Sequence, residues 1–174
     1  MPAGRPEGGW RAAGRGGRAG ADRATMPRML PKVILVPIDF SVNAEQALDH
    51  ACALASKLEA KVHLMHALVS PPSALQVALT EDIIENLVKG HVEALENLVR
   101  SRQGTASFGE VAVEVGDPRD TIVAVAKGID ADLIVMGTHG RRGLSRVVMG
   151  SVAEDVMRNA PCPVLVVREK RAGG

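Results

Sequence analysis

Tyrosine is missing from this 174-residue chain, and two Phe and one Trp complete its aromatic set. A core must therefore be built from Ala, Val, Leu, Ile and Met, a mixture that suits helices packed closely on a sheet. The stacking platforms of single-strand nucleic-acid binders have no material here. Cysteine is scarce as well: Cys52 lies in an apolar helical run and Cys162 between Pro161 and Pro163. Two cysteines without metal-ligand spacing read as a core thiol and a loop thiol in a reducing cytoplasm. No stretch reaches the roughly 18 apolar residues that a membrane span requires.

Charge of one sign is also lacking, because the formal net charge is only +1. That balance hides an asymmetry. Residues 1–28 hold six Arg against Glu7 and Asp22, a net of +4, which leaves −3 for the remainder. The basic character belongs to the leader, so a nucleic-acid surface on the domain is not expected. The leader, residues 1–30, is rich in Gly, Ala and Arg without apolar periodicity and reads as disordered. It has no secretory apolar stretch. An organelle-targeting peptide, or a true start at Met26 or Met29, are the open alternatives. One domain is expected over residues 31–169, followed by a flexible tail at 170–174.

From Pro31 onward, strand-like and helix-like periods alternate. Residues 32–38 form an apolar run of strand length, broken by Asp39-Phe40-Ser41. A helix is expected next, with Asn43 as cap and Gln46 three residues on, and with Ala44, Ala47, Leu48, Ala51, Leu54, Ala55 and Leu58 on one face. Residues 61–67 give a second strand, and Ser70-Pro71-Pro72-Ser73 a loop. Residues 81–102 carry Ile84, Leu87, Val88, His91, Leu95, Leu98 and Val99 at helical spacing, with Gly90 as a weak point. Residues 110–115 give a third strand. Gly116-Asp117-Pro118 then reads as turn, cap and first helical residue. Residues 133–136 and 163–167 complete five strands. Strands separated by helices point to an α/β fold: a doubly wound parallel sheet with helices on both faces.

After the run Leu133-Ile134-Val135-Met136 comes Gly137-Thr138-His139-Gly140, then nine residues, then Gly150-Ser151 opening a helical pattern. Glycines here either make turns or let backbone amides approach a ligand closely. Amides at a helix start, with a hydroxyl beside them, suit phosphate. In doubly wound sheets ligands bind beyond the carboxyl ends of the strands, where Asp39 and Gly137 are both expected. Asp39 is read as a ribose acceptor or as a turn cap. Arg141 and Arg142 are read as phosphate partners or as solvated loop residues. His139 has no carboxylate or nucleophile partner in sequence. His63 and His66, three apart on a strand, point to opposite faces and so do not share a metal.

Taken together, Val36-Pro37-Ile38-Asp39-Phe40-Ser41, Met136-Gly137-Thr138-His139-Gly140, Gly150-Ser151-Val152-Ala153 and Pro161-Cys162-Pro163-Val164-Leu165-Val166-Val167 resemble the universal stress protein family across residues 31–168. The resemblance implies a Rossmann-like, five-stranded parallel sheet and frequent homodimers. Because the glycine signature is complete, it also implies the ATP-binding class. Carried over, it implies that Gly137 and Gly140, with Met136 alongside, line ribose and phosphates. Gly150, Ser151 and Val152 would hold the phosphate chain, Pro37, Ile38 and Asp39 the nucleoside, and Ala67 the adenine.

The loop Gly-x4-Gly-Lys-Ser/Thr of many nucleoside triphosphatases is absent, and no paired carboxylate stands out to orient water or hold magnesium. The expectation is a cytoplasmic, ATP-binding stress-response module, with or without Mg2+, homodimeric through its fifth strand, with no catalytic residue and no metal site of its own. The alternatives are a slow ATPase or self-phosphorylating protein, with Ser151 or Thr138 as acceptor, and a structural dimer with an empty pocket.

Overall fold

The computed structural model describes residues 30–69, 81–138 and 149–168. Among the described residues nine elements follow in order: β1 (Val33–Pro37), α1 (Val42–Leu58), β2 (Lys61–Leu68), α2 (Glu81–Ser101), β3 (Ser107–Val115), α3 (Pro118–Gly128), β4 (Leu133–Gly137), α4 (Ser151–Asn159) and β5 (Val164–Val167). The strands form one five-stranded sheet in the order β3-β2-β1-β4-β5, and every pairing is parallel. The expected fold is therefore the observed one. The order reverses between β1 and β4, so the switch point lies at their carboxyl ends.

Alternation along the central strands divides the core. Ile34, Val36, Val62, Leu64 and Val135 meet the small face of α1 (Ala44, Ala47, Leu48, Ala51, Cys52, Ala55) together with Leu95 of α2. On the other side Leu35, Met65, Ile134 and Met136 meet Ile122 and Ala126 of α3 and Ala153 and Val156 of α4. The largest fully buried side chains are Ile, Leu, Met and Val, as the shortage of aromatics requires. Cys52 is buried and Cys162 half-buried, both free, and burial pushes both thiols above their ordinary pKa.

Two local expectations need correction. The cap of α1 is Ser41, not Asn43: the Ser41 hydroxyl accepts from the Ala44 amide at 3.2 Å, and Asn43 lies inside the first turn. The asparagine–glutamine spacing mimicked a capping box two residues late. Second, β3 begins at Ser107 rather than at 110. Its register against β2 shifts between Val62 and Leu64, so Gly109 and Glu110 together oppose His63. This bulge interrupts the alternation on which the boundary rested. The helix expected over 81–102 forms as α2, and its weak point Gly90 faces open space, costing about 1 kcal/mol against Ala. The turn–cap–proline reading of Gly116-Asp117-Pro118 holds, with Asp117 accepting from the Arg119 amide at 2.9 Å. His63 and His66 do point to opposite faces: His63 covers the bulge, while His66 packs with Phe40. The leader up to residue 29, residues 70–80 with the loop expected at Ser70-Pro71-Pro72-Ser73, and the tail lie outside the described residues.

Candidate functional site

The end of β1 is fixed from both sides. Ile38 is buried, and its amide donates to the Met65 carbonyl at 2.7 Å. Asp39 follows, its Oδ1 accepting from the Ser41 amide at 3.1 Å and the Ser41 hydroxyl at 2.6 Å. Asp39 thus makes the turn of the plainer reading, and in doing so it holds the α1 cap at the strand end. Between them Phe40 takes φ 60°, a left-handed conformation that side-chain-bearing residues rarely adopt. Beside it, Pro37 pairs with Met65, so Ala67, two residues further along β2, is level with Asp39.

On the other flank Leu35 pairs with Ile134, which brings Met136 and Gly137 alongside Pro37. Gly137 also has a reason within the protein for being glycine. A Cβ there would come within 3.0 Å of the Asn43 carbonyl carbon, carbonyl oxygen and Cβ. The close approach that glycine allows is that of the α1 first turn. Beyond it Thr138 is buried, its amide donating to the Val167 carbonyl at 3.1 Å and its carbonyl accepting from the Gly150 amide at 2.8 Å. That second bond joins the end of β4 to the start of α4. The Gly150 amide is thereby engaged within the protein.

Gly150 is the N-cap of α4 and supplies no side-chain cap. The first amides of a helix lack intrahelical partners, so those of Ser151 and Val152 remain as donors at the positive end of the helix dipole. Ser151 is exposed and Val152 half-buried. Of the two hydroxyls considered as phosphoryl acceptors, only that of Ser151 lies on the surface.

Pro37, Ile38, Asp39, Ala67, Met136, Gly137, Gly150, Ser151 and Val152 thus gather at one edge of the sheet, around the switch point. Gly140, His139, Arg141 and Arg142 lie outside the described residues. Among the described residues no three His, Cys, Asp or Glu side chains cluster as a metal site would need. A cavity of about 390 Å3 opens at the opposite edge, between Ala55, Glu59, Lys61, Thr105 and Ser107. It lies away from the carboxyl ends of the strands and gathers none of the residues above.

Sequence reasoning missed one group at this edge. The rings of Phe40 and His66 lie 5.0 Å apart, and His66 stacks on His91 of α2 at 4.6 Å and 4°. The signal was a histidine directly before Ala67 and another in the apolar stripe of α2. Nothing in the spacing said that the two would meet.

Comparison with known proteins agrees with this architecture. The sequence profile of the Universal stress protein family matches residues 31–168. Universal stress protein MJ0531 of Methanocaldococcus jannaschii is 38% identical over 146 residues, covering 82% of this chain and 85% of the relative. The solved structure of hypothetical protein MJ0577 superposes with a TM-score of 0.71 at 31% identity, covering 81% of this chain and 98% of that one. A universal stress protein solved in complex with cAMP gives a TM-score of 0.57 at 25% identity, covering 81% and 99%.

Proposed function

This chain belongs to the universal stress protein family, and from that premise we propose that it is a nucleotide-binding module of the ATP-binding class, serving stress response or signalling in the cytoplasm. One observation carries the reading: the Thr138–Gly150 bond anchors the uncapped start of α4 beside the ends of β1 and β4. In this reading an anion site and a ribose acceptor share one edge of the sheet. In this reading Pro37, Ile38 and Asp39 meet the nucleoside, Asp39 accepting from ribose hydroxyls, and Ala67 meets the adenine. Met136, Gly137 and Gly140 line the ribose and phosphates. The phosphate chain rests on the amides of Ser151 and Val152 and on the Ser151 hydroxyl, with Gly150 supplying the turn. A relative solved with cAMP supports a nucleotide as ligand. The complete glycine signature favours ATP, with or without Mg2+.

The protein is further proposed to act as a homodimer through β5, an edge strand of four apolar residues with Leu165 exposed. A slow self-phosphorylation is the second reading, favoured by the exposed Ser151 hydroxyl at the helix start. Melting scans with ATP, AMP and cAMP test the first reading. At 100 times the dissociation constant, ATP adds about 2.7 kcal/mol and raises the midpoint by roughly 5 to 10 °C. No rise with any of the three nucleotides contradicts it.

A further inference from the structure

We propose that His91 is a positioning residue for the nucleoside end of this site: its imidazole, carried by α2, holds the Phe40 turn that presents Asp39. The inference rests on the nucleotide reading above and adds a control point that lies on a different element.

Phe40 at φ 60° is strained for an L-residue, and such a conformation persists only where its surroundings hold it. On one side the Asp39 carboxylate takes the Ser41 amide and hydroxyl. On the other stand two imidazoles. The Phe40 ring lies 5.0 Å from His66, tilted 50°, and 5.9 Å from His91, tilted 46°, within the range of attractive aromatic pairs. Both imidazoles are themselves anchored through Nδ1 at 2.7 Å, His66 to the Ile38 carbonyl and His91 to the Leu87 carbonyl. A carbonyl only accepts, so Nδ1 of each ring carries the proton.

His66 is thus bonded to the residue before Asp39 and is itself followed by Ala67, while Phe40 directly follows Asp39. The three rings join two of the proposed nucleoside contacts, Asp39 and Ala67, to α2. Apolar burial does not do the same. Leu95 is the one buried residue of α2, and Ile83 and Leu87, in the half nearer the strand ends, are 41% and 43% exposed. Among the described residues, the ring stack is the aromatic contact that ties α2 to the site. A change in the placement of α2 reaches Asp39 through His91.

The test is calorimetric titration of the full-length chain with ATP and with 2′,3′-dideoxy-ATP, which lacks the hydroxyls assigned to Asp39. The natural chain is expected to prefer ATP. His91→Ala is expected to weaken ATP binding by about three- to tenfold, the equivalent of one or two aromatic contacts, and to narrow its preference over the dideoxy analogue. His91→Phe, which keeps a flat ring, is expected to restore both. Should His91→Ala melt below the assay temperature, His91→Leu keeps the packing without the ring plane and is expected to show the same loss. A folded His91→Ala or His91→Leu with the natural affinity and preference overturns the inference and leaves the nucleotide reading standing. His91→Phe as weak as His91→Ala overturns it too. A natural chain that binds neither nucleotide overturns the reading and the inference together.

Discussion

Gly137→Ala separates two reasons for a glycine at the end of β4. The added methyl carbon would sit 3.0 Å from three atoms of Asn43, two of them backbone. That backbone cannot yield easily, because the first turn of α1 is pinned by the Ser41 cap and by Asp39. Overpacking of this kind costs about 1 to 3 kcal/mol. The substitution recovers about 0.4 to 1 kcal/mol by stiffening the unfolded chain, and the backbone at Gly137 is not left-handed, so no strain of that type is added. The net loss is roughly 1 to 2 kcal/mol, a fall in melting temperature of roughly 2 to 8 °C for a domain of this size. The assay is a calorimetric melt of nucleotide-free protein. If glycine were needed only to admit a ligand, the empty protein would melt slightly higher through that unfolded-state gain, and a midpoint that does not fall refutes the packing argument.

Two further outcomes follow from the same geometry. Ser41→Ala removes the hydroxyl that caps α1 and bonds Asp39; a loss of about 0.5 to 2 kcal/mol is expected, read as a lower urea midpoint at constant slope, and an unmoved midpoint contradicts it. Burial holds His63 below its ordinary pKa, with Lys61 adding to the effect and Glu110 opposing it, while its Nδ1 accepts from the Glu110 amide at the β3 bulge. The unfolded chain therefore takes up this proton first, near pH 6.5, so the neutral ring's contribution is complete above that pH and is lost as the pH falls below it. The melting temperature of His63→Gln should accordingly fall less steeply between pH 6.5 and 5 than that of the natural chain, and equal slopes count against the assignment.

How legible the molecule is in its sequence depends on the range of each signal. Apolar runs such as 133–136 and the Asp117-Pro118 cap are local, and they gave four of the five strands closely and the start of α3. The β3 boundary was hidden because the bulge puts Gly109 and Glu110 where alternation expects one residue. At Gly137, glycine announced a close approach without naming the partner, which is α1. The engagement of the Gly150 amide is not legible, because no sequence pattern reveals that the Thr138 carbonyl reaches it. Phe40, His66 and His91 come from three separate elements, and only the fold stacks them. The placement of Asp39, Ala67, Met136 and Ser151 at one edge was readable, since a parallel doubly wound sheet sends all its carboxyl ends the same way.

Amide resonances followed during an ATP titration of isotope-labelled protein test the central claim most directly. The account predicts that the amides of Ser151 and Val152 and the resonances of Asp39 and Ala67 move together along one binding curve. Lys61, Thr105 and Ser107, at the opposite edge, should stay still. Saturable shifts confined to that opposite edge, or no shift at Ser151 and Val152, would contradict it.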